Sequence, residues 1–189
     1  VVGNCHKCPD SFFVRRRISV EAVCEEWNAI LQMLKCHFPK LKVLFTVSPI
    51  RHAKDGMHNN QLSKATLLLA VEELCRTFDF CHYFPSYEIM MDDLRDYRFY
   101  ADDMLHPSGI AIEYIWDCFT RTYFSTDTLQ IMKEWSEIRK SLHHKPFRPQ
   151  SEAYRKFLAQ IMLKIERMKE NFPYIDAQKE MELCHTLLN

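Results

Sequence analysis

Asp103 and His106 are the two residues whose types and spacing suit shared chemistry, and they lie three positions apart in the stretch RFYADDMLHPS (98–108). A carboxylate at this spacing can accept the imidazole N–H, fix the ring tautomer and leave the other ring nitrogen free as a base. Pro107 follows at once and suits the first turn of a helix. The pattern predicts the base half of a Ser-His-Asp site.

A structural role explains the same residues without catalysis. Isolated Asp-x-x-His patterns are common in loops. In this alternative, Asp103 or Ser108 caps the following helix and His106 is an ordinary, partly buried histidine. The catalytic interpretation is favoured by position, because the loop connects a predicted strand to a predicted helix.

Hydrophobic periodicity predicts the elements that must position the pair. Ser19 has the residue type of an N-cap, and apolar residues recur at helical spacing from there to His37, before Pro39. Two short β-branched and aromatic runs predict buried parallel strands. These two strands lie at 41–47 and 81–87, and the other predicted helices of this part lie at 62–78 and 109–123. This order predicts an α/β layer architecture with right-handed connections.

A long polar loop, residues 48–60, leaves the carboxyl end of the first predicted strand. Open α/β sheets place their ligands at such loops. In the alternative, the polar side chains solvate the loop and cap the next helix. The candidates for substrate contact are Arg51, His52, His58, Asn59 and Asn60.

The composition argues against several classes of function. The 25 basic and 25 acidic residues cancel, so bulk charge predicts neither a nucleic-acid partner nor an anionic membrane. The sequence has no apolar run of roughly 18 residues, the length of a transmembrane helix. With only three glycines and no Gly-rich phosphate loop, we expect no cofactor.

The eight cysteines favour a reducing compartment, because several fall on apolar helix faces where free cysteine behaves as a small hydrophobe. Cys5 and Cys8 have the spacing of metal ligands, but no second Cys/His pair follows at zinc-finger distance. A metal site built from Cys5, His6, Cys8 and loop histidines is therefore the weakest interpretation. We expect no metal.

From Thr126 onward the sequence changes to long, charged, amphipathic helices over 126–143 and 151–172. No residues with catalytic spacing occur there. We therefore expect two parts, an α/β domain over 1–125 and a helical extension over 126–189.

Several segments together resemble the GSCFA domain family, which is related to the SGNH/GDSL hydrolases. This resemblance implies a flavodoxin-like three-layer α/β/α sandwich, truncated at its N-terminus, with a C-terminal helical extension. It also implies ester hydrolysis through a serine nucleophile. The segments are VVGNCHK (1–7), FTVSPIRH (45–52), NQLSKATLLLA (60–70), YFPSYEIM (83–90) and DYRFYADDMLHPS (96–108).

The resemblance assigns the family's Asp-x-x-His block to Asp103 and His106, and it suggests Asn4 as an oxyanion-hole donor. The Gly-Ser-Cys-Phe-Ala segment that supplies the nucleophile is absent from these residues, and we expect it upstream of Val1. The expected activity is hydrolysis of small acyl or acetyl esters, including esters on carbohydrate. As written, the chain carries the base without the attacking group.

A non-catalytic binding or interaction module is the second hypothesis, because a fold does not fix a function. The missing serine and the charged helical extension motivate it. A sheet without its N-terminal strands would also expose an unpaired edge. We therefore expect self-association through that edge, or dependence on an N-terminal piece.

Overall fold

The computed structural model describes residues 8–14, 16–144, 146–148 and 150–188. The chain divides into two compact units, Val1–Phe119 and Thr120–Asn189. The predicted division into a hydrolase domain over 1–125 and an extension over 126–189 stays a prediction.

Two short parallel strands form the sheet of the first unit. Strand β1 is Val43–Thr46 and strand β2 is Cys81–Phe84, with Val43 opposite Cys81 in the register. Both strands were predicted, but both are shorter than the apolar runs that predicted them. β2 ends where Pro85 follows, because proline has no N–H to donate to the ladder.

Helices α1 (Val20–His37) and α2 (Met57–Thr77) pack on one face of this sheet. Leu31 of α1 and Leu74 of α2 are among the most deeply buried side chains of the chain. Ser19 is the N-cap of α1, as predicted, and its hydroxyl accepts the N–H of Ala22 at 3.2 Å. These contacts fix the strands from one side.

Helix α4 (Gly109–Tyr123) begins directly after the Asp-x-x-His loop. The ring of Phe119 in α4 meets the ring of Phe84 in β2 edge to face, with centroids 5.1 Å apart. The short helix α3 (Ser86–Glu88) follows β2 and continues as a π-helical segment (Ile89–Asp93). Both precede the Asp-x-x-His loop in the chain.

The predicted flavodoxin-like three-layer α/β/α sandwich is wrong for this structure. The described residues contain two four-residue strands and seven α-helices, whereas such a sandwich needs a wide central sheet. The other apolar segments repeat with helical period and bury their stripes as helices, so they supply no further strands.

The second unit is helical, with α5 (Thr126–Leu142), α6 (Glu152–Asn171) and α7 (Gln178–Leu188). The first two helices agree with the predicted ranges to within two residues. Leu158 and Ile165 of α6 lie at the centre of its core. In the ranges that the structure describes, no helix has both the length and the apolar character needed to cross a bilayer.

We expect Leu74→Ala to destabilise the first unit by about 2–5 kcal/mol, because it opens a cavity between α1, α2 and the sheet. Leu69→Ala, on the same helix, is the matched control. Leu74 is 1% exposed and Leu69 is 61% exposed, so the control should change stability by about 0.5 kcal/mol or less. Hydrogen exchange of the α2 amides measures the loss of stability in each variant. Equal losses in Leu74→Ala and Leu69→Ala would contradict this packing.

Candidate active site

The Asp103 carboxylate makes three hydrogen bonds within its own loop. Its Oδ1 accepts the backbone N–H of Leu105 and of His106, each at 2.9 Å. Its Oδ2 lies 2.5 Å from Nδ1 of His106. The same carboxylate therefore shapes the turn and orients the imidazole.

The remaining ring nitrogen of His106 is Nε2. Among the described residues, no hydrogen bond of this nitrogen is found, so it is available to a substrate or a hydroxyl group. The side chains of His106 and Asp103 are 58% and 46% exposed. The pair can therefore be reached from solvent.

Backbone hydrogen bonds close the loop around the pair. The N–H of Ala101 donates to the carbonyl of His106 at 2.8 Å, and the N–H of Ser108 donates to that of Phe99 at 2.8 Å. Met104, at the tip of the turn, has a φ of 59°. A residue other than glycine adopts this left-handed conformation at a cost of roughly 1–2 kcal/mol, which the bonds to Asp103 offset.

Arg51 connects the loop after β1 to the loop that carries the pair. Its guanidinium donates to the hydroxyl of Tyr100 at 2.8 Å and to the carbonyl of Met104 at 3.2 Å. The guanidinium also stacks over the ring of Tyr100, at 4.0 Å from its centroid. The backbone N–H of Arg51 donates to the carbonyl of Leu105 at 3.1 Å. The observed role of Arg51 is therefore to support the turn of His106.

The other predicted substrate contacts do not converge on His106 in the same way. Asn60 is buried, and its Oδ1 accepts the backbone N–H of His52 at 2.9 Å. This bond holds the loop after β1, and the side chain of His52 is exposed. Asn4, predicted as an oxyanion donor, lies outside the described residues. Substrate contact by these three residues stays a prediction.

Lys64 was missed by sequence reasoning. It is a buried lysine of α2 whose Nζ donates to the carbonyl of Ser48 at 2.5 Å. Burial lowers the pKa of its ammonium group. The lysine fixes the backbone where β1 ends, and a lysine amid the apolar helix stripe at Leu62 and Ala65 was the signal that could have indicated it.

A cavity of about 650 Å³ opens beside His106. It lies between the sheet and α4, and its lining includes the exposed side chain of Leu44 in β1. Its wall is mostly apolar, and it includes Leu44, Ile50, Phe84, Ile112, Trp116 and Phe119. A volume in the range of roughly 300–1,000 Å³ is typical of small-molecule sites.

No serine hydroxyl in the described ranges is hydrogen-bonded to His106. Ser108 accepts the N–H of Ala111 at 3.3 Å and so begins α4 as a cap. The buried Ser86 donates its hydroxyl to the carbonyl of Val47 at 2.8 Å. Ser48 lines the cavity, and its hydroxyl accepts the N–H of Ile50 at 3.3 Å.

The described part of the chain contains no group of three or more histidine, cysteine or acidic side chains placed to hold a metal ion. Cys5 and His6, which belong to the metal interpretation, lie outside that part. Cys8 is described and is exposed.

Comparison with known families gives two matches. Residues 1–119 match the sequence model of the GSCFA family, and residues 135–189 match that of the GSCFA domain protein, C-terminal domain. No curated protein and no solved structure matches the chain.

We expect Arg51→Met to loosen the loop, because it removes the charge-assisted bonds to Tyr100 and Met104. Exchange of the Ala101 amide should rise by roughly tenfold. Tyr100→Phe removes only one of these bonds and keeps the stacked ring, so its effect should be smaller. Unchanged exchange in Arg51→Met would show that Arg51 does not support the loop.

The pKa of Asp103 is lowered from 3.8 to about 2, mainly by the N–H groups of His106 and Leu105 and then by the imidazole. Because the folded pKa is the lower one, these bonds contribute stability above about pH 3.8, and that stability is lost as the pH falls towards 2. In NMR titrations, the Leu105 and His106 amide shifts should therefore move with a midpoint near pH 2. Asp103→Asn should abolish the transition, and a midpoint near pH 3.8 would contradict these bonds.

Proposed function

The chain belongs to the GSCFA family, and on this basis we propose that it carries the base of a serine-dependent ester hydrolase. The observation that supports the proposal is the contact between Oδ2 of Asp103 and Nδ1 of His106, at 2.5 Å. Carboxylate and imidazole are joined in this way in Ser-His-Asp sites. The resemblance to the SGNH hydrolases supports the same assignment.

In the proposed reaction, Nε2 of His106 takes the proton of a serine hydroxyl as the serine oxygen attacks the ester carbonyl carbon. The imidazolium formed in this step is stabilised by Asp103. It then gives its proton to the departing alcohol, which leaves an acyl-enzyme. Water, activated by the same histidine, releases the acid and regenerates the serine.

The attacking serine is assigned to the family's Gly-Ser-Cys-Phe-Ala segment, which these 189 residues do not contain. Asn4 is proposed as a donor to the oxyanion, where charge develops as the carbonyl carbon is attacked. Arg51 supports the loop of Asp103 and His106, and the bond between His52 and Asn60 holds the loop after β1; contact of these three residues with the substrate is part of the proposal. The proposed substrates are small acyl or acetyl esters, including esters on carbohydrate.

The test uses a longer GSCFA protein that contains both this chain and the Gly-Ser-Cys-Phe-Ala segment. His106→Ala should lower kcat for a p-nitrophenyl ester by roughly a thousandfold or more. The control is His82→Ala, because His82 is an exposed histidine of β2 that does not line the cavity. Both variants are assayed for ester hydrolysis and for covalent labelling by a fluorophosphonate.

One fluorophosphonate adduct in the parent and in His82→Ala, but not in His106→Ala, is the expected result. Full activity of His106→Ala would remove Asp103 and His106 from the mechanism. A well-folded protein that takes no adduct would favour the non-catalytic binding module instead.

A further inference from the structure

We propose that the cavity beside His106 binds the apolar acyl chain of the ester, which narrows the small acyl and acetyl esters proposed above to acyl esters longer than acetate. The inference rests on the proposed function, because the acyl chain is assigned through its closeness to His106. It extends that function by proposing that the protein recognises the acyl half of the ester.

The shape and lining of the cavity favour an apolar occupant. Its wall is made of aliphatic and aromatic side chains from β1, β2 and α4, and such a wall gains free energy by removing apolar groups from water. A sugar would need polar partners along this wall. The serine and threonine residues of the lining are Thr46, Ser48 and Ser86, and each already has a hydrogen bond within the protein. The Ser86 hydroxyl donates to the carbonyl of Val47 and lies 2.5 Å from the Thr46 hydroxyl, and the Ser48 hydroxyl accepts the N–H of Ile50.

The position of His106 connects the cavity to the proposed reaction. His106 and Pro107 line the same cavity as Ile112 and Trp116. A carbonyl group held beside the imidazole therefore places its hydrocarbon chain along the apolar wall. The volume of about 650 Å³ leaves room for much more than an acetyl group.

Two isoleucines of α4 give a matched pair of variants. Ile112 lines the cavity and is 58% exposed, whereas Ile110 is 67% exposed and does not line it. They lie two residues apart, so they project from nearly opposite sides of the helix. Because both are exposed, replacing either by glutamate should leave the fold intact, and only Ile112→Glu puts a charge into the cavity.

The experiment titrates the 189-residue chain with the neutral amides acetamide, butanamide, hexanamide and octanamide. Calorimetry should show affinity rising about fourfold per added methylene group. Ile112→Glu should weaken octanamide binding roughly tenfold or more, and Ile110→Glu should leave it unchanged. The His106 ring resonances should shift during the titration.

The inference is overturned if octanamide does not bind saturably, or if the two glutamate variants weaken binding equally. It is also overturned if a concentration-dependent dimer, broken by Ile112→Glu, covers the cavity and excludes octanamide. Binding needs no nucleophile, so its outcome is independent of the labelling test. Labelling without octanamide binding would leave the esterase proposal standing and remove the acyl-chain site.

Discussion

The proposed active site depends on how the Asp103 carboxylate divides its hydrogen bonds. One oxygen accepts two backbone N–H groups and the other faces Nδ1 of His106. Because both side chains are substantially exposed, the contact between carboxylate and imidazole contributes little to folding stability. The value of the interaction is geometric, since it fixes the turn and the ring together.

The loop is also held from the neighbouring strand. Parallel strands bring their carboxyl ends to one edge of the sheet, and here that edge carries both the loop after β1 and the route to Asp103. Arg51 joins the two loops through Tyr100 and Met104. Lys64 fixes the start of the first loop through the carbonyl of Ser48. A buried cation and a stacked guanidinium thus support the orientation of a more exposed histidine.

Sequence reasoning succeeded where the determinants are local. The Asp103–His106 contact spans three residues, the Ser19 cap spans three, and the start and end of α4 follow from an apolar period. It located α2 less well, because the helix begins at Met57, before the apolar stripe that starts at Leu62. After Met57, the first turn of α2 consists of the polar residues His58, Asn59 and Asn60.

The sequence did not reveal features that depend on distant partners. The wide sheet was expected from resemblance, but sheet width depends on pairing between remote segments. In the part of the chain that the structure describes, the sheet consists of β1 and β2. The bond from Lys64 to Ser48 spans 16 positions and that from Arg51 to Tyr100 spans 49. The cavity likewise arises from how α4 covers the sheet, which no local pattern specifies.

The most direct test of the central claim is to determine which nitrogen of His106 carries the proton when the ring is neutral. Long-range proton–nitrogen NMR of the imidazole distinguishes the two tautomers. The account predicts that the proton is on Nδ1, facing Asp103, and that Nε2 is free to act as the base. A proton on Nε2, with none on Nδ1, would contradict the assignment of His106 as the catalytic base and of Asp103 as the residue that orients it.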